Sequence, residues 1–320
     1  MATLRDTAKR APGPTWPTHY TTRETPEDDM SDDNSSAFER AAMNALRVLP
    51  RSTVSRIFGA ISELELPHAL RGVVNGGFAS FAGIDTSEAA APPAAYRSLN
   101  AYFTRKLKVG ARPPEASAPG DLVSPVDGRL TQLGSLSDGT LIQAKGRTYL
   151  LEDLLDSGSE ARRFKGGVYL TIYLSPRDYH RIHSPAAASI SRMSYIPGTL
   201  WPVNPMSVRH VDDLFAVNER VVSYLDSDDV GALALIKVGA TCVGRITLSY
   251  HDLQSNGAFR RRRDVTLERP VDIGCGEELA AFNLGSTVIL LLEDPSFALR
   301  AGLELGQKVR MGELLGSVDA

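Results

Sequence analysis

Three short polar clusters stand out among the β-type runs of the sequence, and each holds a residue able to move a proton or attack a carbonyl. "SPVDGRL" (124–130) carries Asp127, "SPRDYHRIHSP" (175–185) carries His180 and His183, and "FNLGSTV" (282–288) carries Ser286 directly after Gly285. An aspartate, a histidine and a serine are the parts of an orienter–base–nucleophile system. Each cluster also has a plainer explanation: a turn at Asp127, surface histidines, and Gly-Ser as turn filler. Two histidines within four residues suit a metal, but no third ligand stands at a recognisable spacing. No G-x-S-x-G elbow occurs, and Ser286 opens a strand instead of a strand-to-helix turn, which argues against an α/β-hydrolase. The nearest electrophile to Ser286 is the carbonyl of Gly285. Glycine offers no side chain to obstruct attack there and tolerates the strained geometry that favours an N→O acyl shift.

The elements that must position these groups change character along the chain. Thr287 to Leu292 are β-branched or aliphatic and predict a buried strand immediately after the Gly-Ser pair. From about residue 118 onward, short β-type runs such as "GVYLTIYLS" and "ALALIKVGATCVGRITLSY" alternate with Gly, Pro and Asp. Two Gly-Glu turns, "GEELAAFNLGS" (276–286) and "MGELLGSV" (311–318), hint at related hairpin units. Upstream the pattern is helical. Phe38 to Leu49 recur at helical spacing behind an S-x-x-E capping box at Ser36 and Glu39. Val54, Ile57, Phe58 and Ile61 repeat the pattern, as do Leu70, Val73, Val74, Gly77, Phe78 and Phe81. A short helix capped by Ser98 follows over 98–107. The expected organisation is a disordered tail (1–35), a helical region (36–112) and a β-rich domain (113–320), an α+β chain overall.

Composition narrows the classes. The 320 residues carry a net charge of −3, 42% hydrophobic and 23% charged residues, ordinary values for a globular protein and no footprint for nucleic acid. Cys242 and Cys275 form no CxxC pair, which fits a reducing compartment. No stretch approaches the roughly 20 apolar residues of a membrane span, and a signal-peptide pattern is not expected at the N-terminus. Membrane contact is then expected to be peripheral, from the cytoplasmic side. The helices at 36–84 combine Phe and Leu with Arg40, Arg47, Arg51, Arg56 and Arg71, a pattern shared by small helical subdomains and interfacial helices. Phe58, Phe78 and Phe81 are the side chains expected to enter lipid.

The motifs "SPVDG", "DYHRIHSP", "FAVNERV", "VGATCVG" and "FNLGSTV", in this order, resemble those of the bacterial, membrane-associated phosphatidylserine decarboxylases. The likeness runs from about Ala95 to Gly316. It implies a proenzyme that cuts itself between Gly285 and Ser286 into a beta chain (1–285) and an alpha chain (286–320), which stay together as a heterodimer and allow a higher oligomer. Asp127, His183 and Ser286 match the family's charge relay for this cut. The ester so formed would eliminate, and the dehydroalanine would hydrolyse to a pyruvoyl group with loss of ammonia. That group would form a Schiff base with phosphatidylserine in an anionic membrane and accept electrons as CO2 leaves. His180 matches the residue that would protonate the product carbon. Metal and pyridoxal phosphate are not expected. Two rivals remain on the residues alone: a serine hydrolase with Ser286 intact, and a lipoyl- or phosphocarrier-like β-module.

Overall fold

Thr287–Leu292 forms strand β13, and all six residues are buried. The run lacks alternation because both of its faces are covered. Val288, Leu290 and Leu292 enter one core, while Ile289 and Leu291 enter another. The computed structural model describes residues 51–136, 138–144, 147–241, 245–257, 261–283 and 287–318. The expected tail, the helical run at 38–49, Cys242, Gly285 and Ser286 lie outside the described residues. Within them the fold is α+β, rich in antiparallel sheet and with few helices, as the sequence texture predicts.

An eight-stranded sheet contains β13. Its order is β11 (Arg263–Ile273), β7 (Ala188–Ile196), β8 (Arg220–Ser227), β9 (Gly231–Val238), β13, β5 (Val168–Tyr173), β2 (Gly128–Ser135) and β15 (Lys308–Val309). Two three-stranded sheets share its first core. One is β1 (Asp121–Val123), β16 (Leu314–Ser317), β14 (Ala298–Leu299); the other is β10 (Arg245–Leu248), β12 (Glu278–Asn283), β6 (Arg181–His183). The second core lies beneath the hairpin β3 (Thr140–Ala144)–β4 (Arg147–Leu150) and four short helices. These are α4 (Leu151–Leu155), α5 (Gly158–Phe164), α6 (Pro205–His210) and α7 (Leu214–Val217).

The strand order is a palindrome. Strands β6 to β12 occupy, in sequence, the same places as β1, β2, β5, β13, β14, β15 and β16. The first unit is thus inserted into the second between β5 and β13. Matching turns repeat the relation atom by atom. Ser124 Oγ donates to Val126 O and Ser184 Oγ to Ala186 O, both at 2.7 Å. His183 N donates to Pro125 O and Val123 N to Pro185 O, both at 2.9 Å. In the Gly-Glu turns, Glu277 accepts from Gly274 N and Glu313 from Arg310 N, both at 2.9 Å. The chain passes between the units at residues 174–180 and returns through 284–286. Both crossings carry residues singled out for chemistry.

Among the described residues three α-helices precede the sheets: α1 (Arg51–Glu63), α2 (His68–Ala82) and α3 (Leu99–Phe103). Ser98 caps α3 as expected, accepting from Ala101 N at 3.1 Å. The helix stops short of the expected Leu107, because Leu107 bridges to Ala89 as extended chain. Helix α1 buries Ser55, Gly59 and Ser62 while Ile57, Phe58, Ile61 and Leu64 face outward. Helix α2 buries Asn75 and Ala79 and exposes Leu70, Val73 and Phe81, the last at 92%. Phe78 departs from expectation. It turns inward, its ring 6.1 Å from that of Phe103.

Candidate active site

Asp127 ends the bend that leads into β2. The following glycine is required by close approach: a Cβ on Gly128 would lie 2.6 Å from the Tyr173 carbonyl oxygen. The Asp127 carboxylate accepts from Met311 N at 2.8 Å, and from Arg112 Nε at 3.2 Å and Nη2 at 3.0 Å. Arg112 also forks onto Glu88, at 2.8 and 2.7 Å. Glu88 and Asp127 together hold the guanidinium pKa above its ordinary value, against the effect of burial. Neither Arg112 nor Glu88 stands out in the sequence, where "ARPP" marks only a change of texture. Its prolines lie between the two Gly-Glu turns. A Cβ on Gly276 (φ +74) would meet Pro114 Cγ at 2.3 Å, and one on Gly312 (φ +87) would meet Pro113 O at 3.0 Å.

His183 stands on β6 and is 8% exposed. Its Nδ1 lies 2.9 Å from Gly276 O, and because a carbonyl only accepts, this nitrogen carries the proton. Nε2 is then the basic atom, and it accepts from the Tyr179 hydroxyl at 3.0 Å. Burial lowers the His183 pKa, opposed by the Gly276 bond. Among the described residues no hydrogen bond joins Asp127 to His183. A backbone bond, His183 N to Pro125 O, brings their segments together, and the charge of Asp127 reaches the imidazole through space. The imidazole is therefore oriented by Gly276, with Asp127 acting at a distance.

His180 sits at the end of the first crossing and is fully buried. Its ring lies 4.0 Å from that of Phe103, tilted by 41°. Nδ1 donates to Asp178 O at 2.9 Å, which leaves Nε2 as a lone pair with no partner among the described residues. Burial pushes its pKa down to about 3, so the ring is neutral at physiological pH. To donate a proton, His180 must first take one up. Its carbonyl accepts from Phe282 N at 2.9 Å, which ties it to the strand leading into the second crossing. On either side of residues 284–286 the chain is anchored. Asn283 donates to Arg245 O at 3.0 Å and accepts from Asn100 at 2.9 Å, while Thr287 is paired with both Tyr173 and Val238. A cleft of about 130 Å³ opens beside Asn283, lined by Thr104, Arg181, Thr247, Ser249 and Glu278.

A neutral buried imidazole, three residues from a second imidazole of fixed tautomer, is an arrangement suited to proton transfer in an enzyme. Comparison with known proteins names the kind. Residues 99–317 match the family model described as phosphatidylserine decarboxylase. A relative from Anaeromyxobacter sp. (strain K) is 44% identical over 87% of this chain and 98% of its own length. Relatives from Brevibacillus brevis and Myxococcus xanthus are 41% and 40% identical over 85% and 88% of this chain, and over 96% and 99% of their own lengths. All three are named phosphatidylserine decarboxylase proenzyme. The chain belongs to the phosphatidylserine decarboxylase family, and the five motifs all fall within the matched span.

Proposed function

We propose that this chain decarboxylates phosphatidylserine to phosphatidylethanolamine and CO2, using a pyruvoyl group made from Ser286 when the Gly285–Ser286 bond is cut. The observation that carries the proposal is the His180 Nε2 lone pair, buried with no partner among the described residues and tied to the strand that leads to that bond. The surroundings fit such a group. Anchors at Asn283 and Thr287 hold the flanking chain, and the buried Thr287 Oγ1 also has no partner among the described residues. A pyruvoyl group supplies a carbonyl that condenses with an amine and takes up the electron pair when CO2 departs.

The remaining work falls to side chains. In maturation His183 Nε2 takes the Ser286 hydroxyl proton once the Tyr179 phenol turns aside, with Gly276 O steadying the protonated ring. Asp127, kept in place by Arg112 and Met311, offers negative charge toward that imidazolium. In turnover His180 Nε2 accepts a proton from the substrate ammonium and returns it to the carbon that lost CO2. Its low proton affinity favours the return.

The substrate is a bilayer lipid, and among the described residues no helix is long and apolar enough to cross a membrane. Helices α1 and α2 supply the docking face in this reading, peripheral and on the cytoplasmic side. They hide small or polar residues and present large apolar ones, the reverse of a helix that packs on its own protein. Intact mass spectrometry of the purified chain tests the whole proposal. It should show two pieces, 1–285 and 286–320, the second lighter by one ammonia than a serine-started peptide and unreactive in Edman degradation. An active protein running as one unbroken chain would sink it.

A further inference from the structure

Arg105 follows α3 and is 3% exposed, its guanidinium 5.7 Å from the centroid of the Tyr102 ring, yet among the described residues no salt bridge balances its charge. Its Nη2 donates to the carbonyls of Arg177 at 3.3 Å and Asp178 at 3.5 Å. Nε and Nη1 are buried with no hydrogen-bond partner among the described residues. Neutral carbonyls do not offset the cost of burying a cation. The carboxylates nearby are already engaged: Asp127 by Arg112 and Met311, Asp178 by Ser175 N at 2.7 Å and Ser175 Oγ at 2.8 Å. Two further orphan atoms lie on the same segments, the Tyr102 hydroxyl and His180 Nε2. The Phe103–His180 ring contact joins α3 to the crossing, so these atoms share one neighbourhood. Donors outnumber acceptors there. What is missing is an anion.

We propose that Arg105 binds the phosphodiester of the substrate headgroup, an inference that rests on the decarboxylase reading above. The headgroup offers two anions, a carboxylate and a phosphodiester. A guanidinium on the carboxylate would stabilise the charge that must vanish as CO2 forms, and so would oppose the reaction. A guanidinium on the phosphodiester stabilises a charge that persists throughout, and it lowers KM with little effect on kcat. Position agrees with this choice. In phosphoserine the reacting carbon is one carbon away from the phosphate ester oxygen, so a group that protonates it must stand close to the phosphate binder. Arg105 and His180 are neighbours in this sense, since the Arg105 charge depresses the proton affinity of His180. Pairing Arg105 with a phosphate would cancel that effect, making His180 easier to protonate only when substrate is bound.

The test uses the matured full chain, a short-chain soluble phosphatidylserine, and the variants Arg105→Gln and Arg105→Lys. Arg105→Gln should raise KM roughly 10- to 100-fold, the loss of a charge-assisted hydrogen bond, while kcat changes little. Arg105→Lys should recover part of the affinity. Glycerol 3-phosphate should compete with substrate in the wild type and not in Arg105→Gln, and acetate should compete in neither. Unchanged KM and unchanged competition would overturn the inference. So would a fall in kcat at constant KM, which would give Arg105 a part in the chemical step, or competition by acetate alone, which would place it on the carboxylate. If Arg105→Gln stays uncut, the lysine variant and wild-type competition decide: an active wild type that ignores glycerol 3-phosphate refutes phosphate binding. A matured wild type without decarboxylase activity would instead refute the proposed function itself.

Discussion

At the scale of single residues, the two histidines have different surroundings and should fail differently. His183→Ala removes the proposed base, held by Gly276 and Tyr179, and should leave the chain uncut on a denaturing gel. His180→Ala should permit cutting yet release little phosphatidylethanolamine. Normal maturation and wild-type turnover in both would refute these roles. His180 also predicts an acid-sensitive stability. Its pKa is about 3 in the folded chain against an ordinary 6.5, so between those values the unfolded chain binds a proton that the folded chain refuses. Its contribution is complete above about pH 6.5 and is lost as pH falls toward 3. At pH 4 the loss amounts to about 3 kcal/mol. Urea midpoints measured from pH 7 to 4 should fall more steeply for the wild type than for His180→Gln, and equal slopes would assign the acid limb to other groups. The candidates Asp127, His180 and His183 are legible because they stand in short polar clusters between β-type runs. Arg112, Glu88 and Arg105 were not, because only the fold reveals that each is a buried charge.

At the scale of elements, the Gly-Glu turns do more than reverse the chain. The turn at Gly276 supplies the carbonyl that fixes the His183 tautomer, and it does so from a left-handed backbone conformation pressed against Pro114. Gly276→Ala should therefore cost about 1–3 kcal/mol of stability and slow self-cutting, measured together by urea melts and by a time course of cleavage. Gly302→Ala, at φ +80 but in open space and away from the histidines, should lose stability without slowing the cut. Helices α1 and α2 carry a separate expectation. Ile61→Ser with Phe81→Ser should weaken binding to anionic liposomes while leaving turnover of a soluble substrate intact. Burying such side chains is worth roughly 1.5–3 kcal/mol each. Unchanged binding would move the lipid-facing surface elsewhere. The continuous apolar run of β13 and the paired Gly-Glu turns could be read from sequence, since periodicity and turn chemistry are local. The palindrome could not. Its two units share connectivity with little residue identity, and one interrupts the other, so the repeat never appears as adjacent segments.

At the scale of the whole molecule, a cut at Gly285–Ser286 would fall where the inserted unit hands the chain back to its host. The short fragment would begin at β13, which is hydrogen-bonded along six residues to β5 on one side and six to β9 on the other. The two fragments should therefore co-elute in gel filtration and part only in denaturant. Early separation under native conditions would show that the β13 pairings do not hold them. The central place of β13 also bears on how often the enzyme can be assembled. Before the cut, β13 reaches its slot as part of the same chain, at the millimolar effective concentration that a short tether provides. After the cut, the same strand must find that slot by diffusion, from a second molecule at whatever dilution the solution sets. Refolding of the mature protein becomes a second-order process, slow at low concentration and open to aggregation of the gapped sheet, while refolding of an uncut Ser286→Ala chain stays first-order. Under the proposed function, maturation would be a one-way gate in the life of the molecule: the bond that guides folding would be spent to make the catalyst, and a mature copy that unfolds would seldom be recovered.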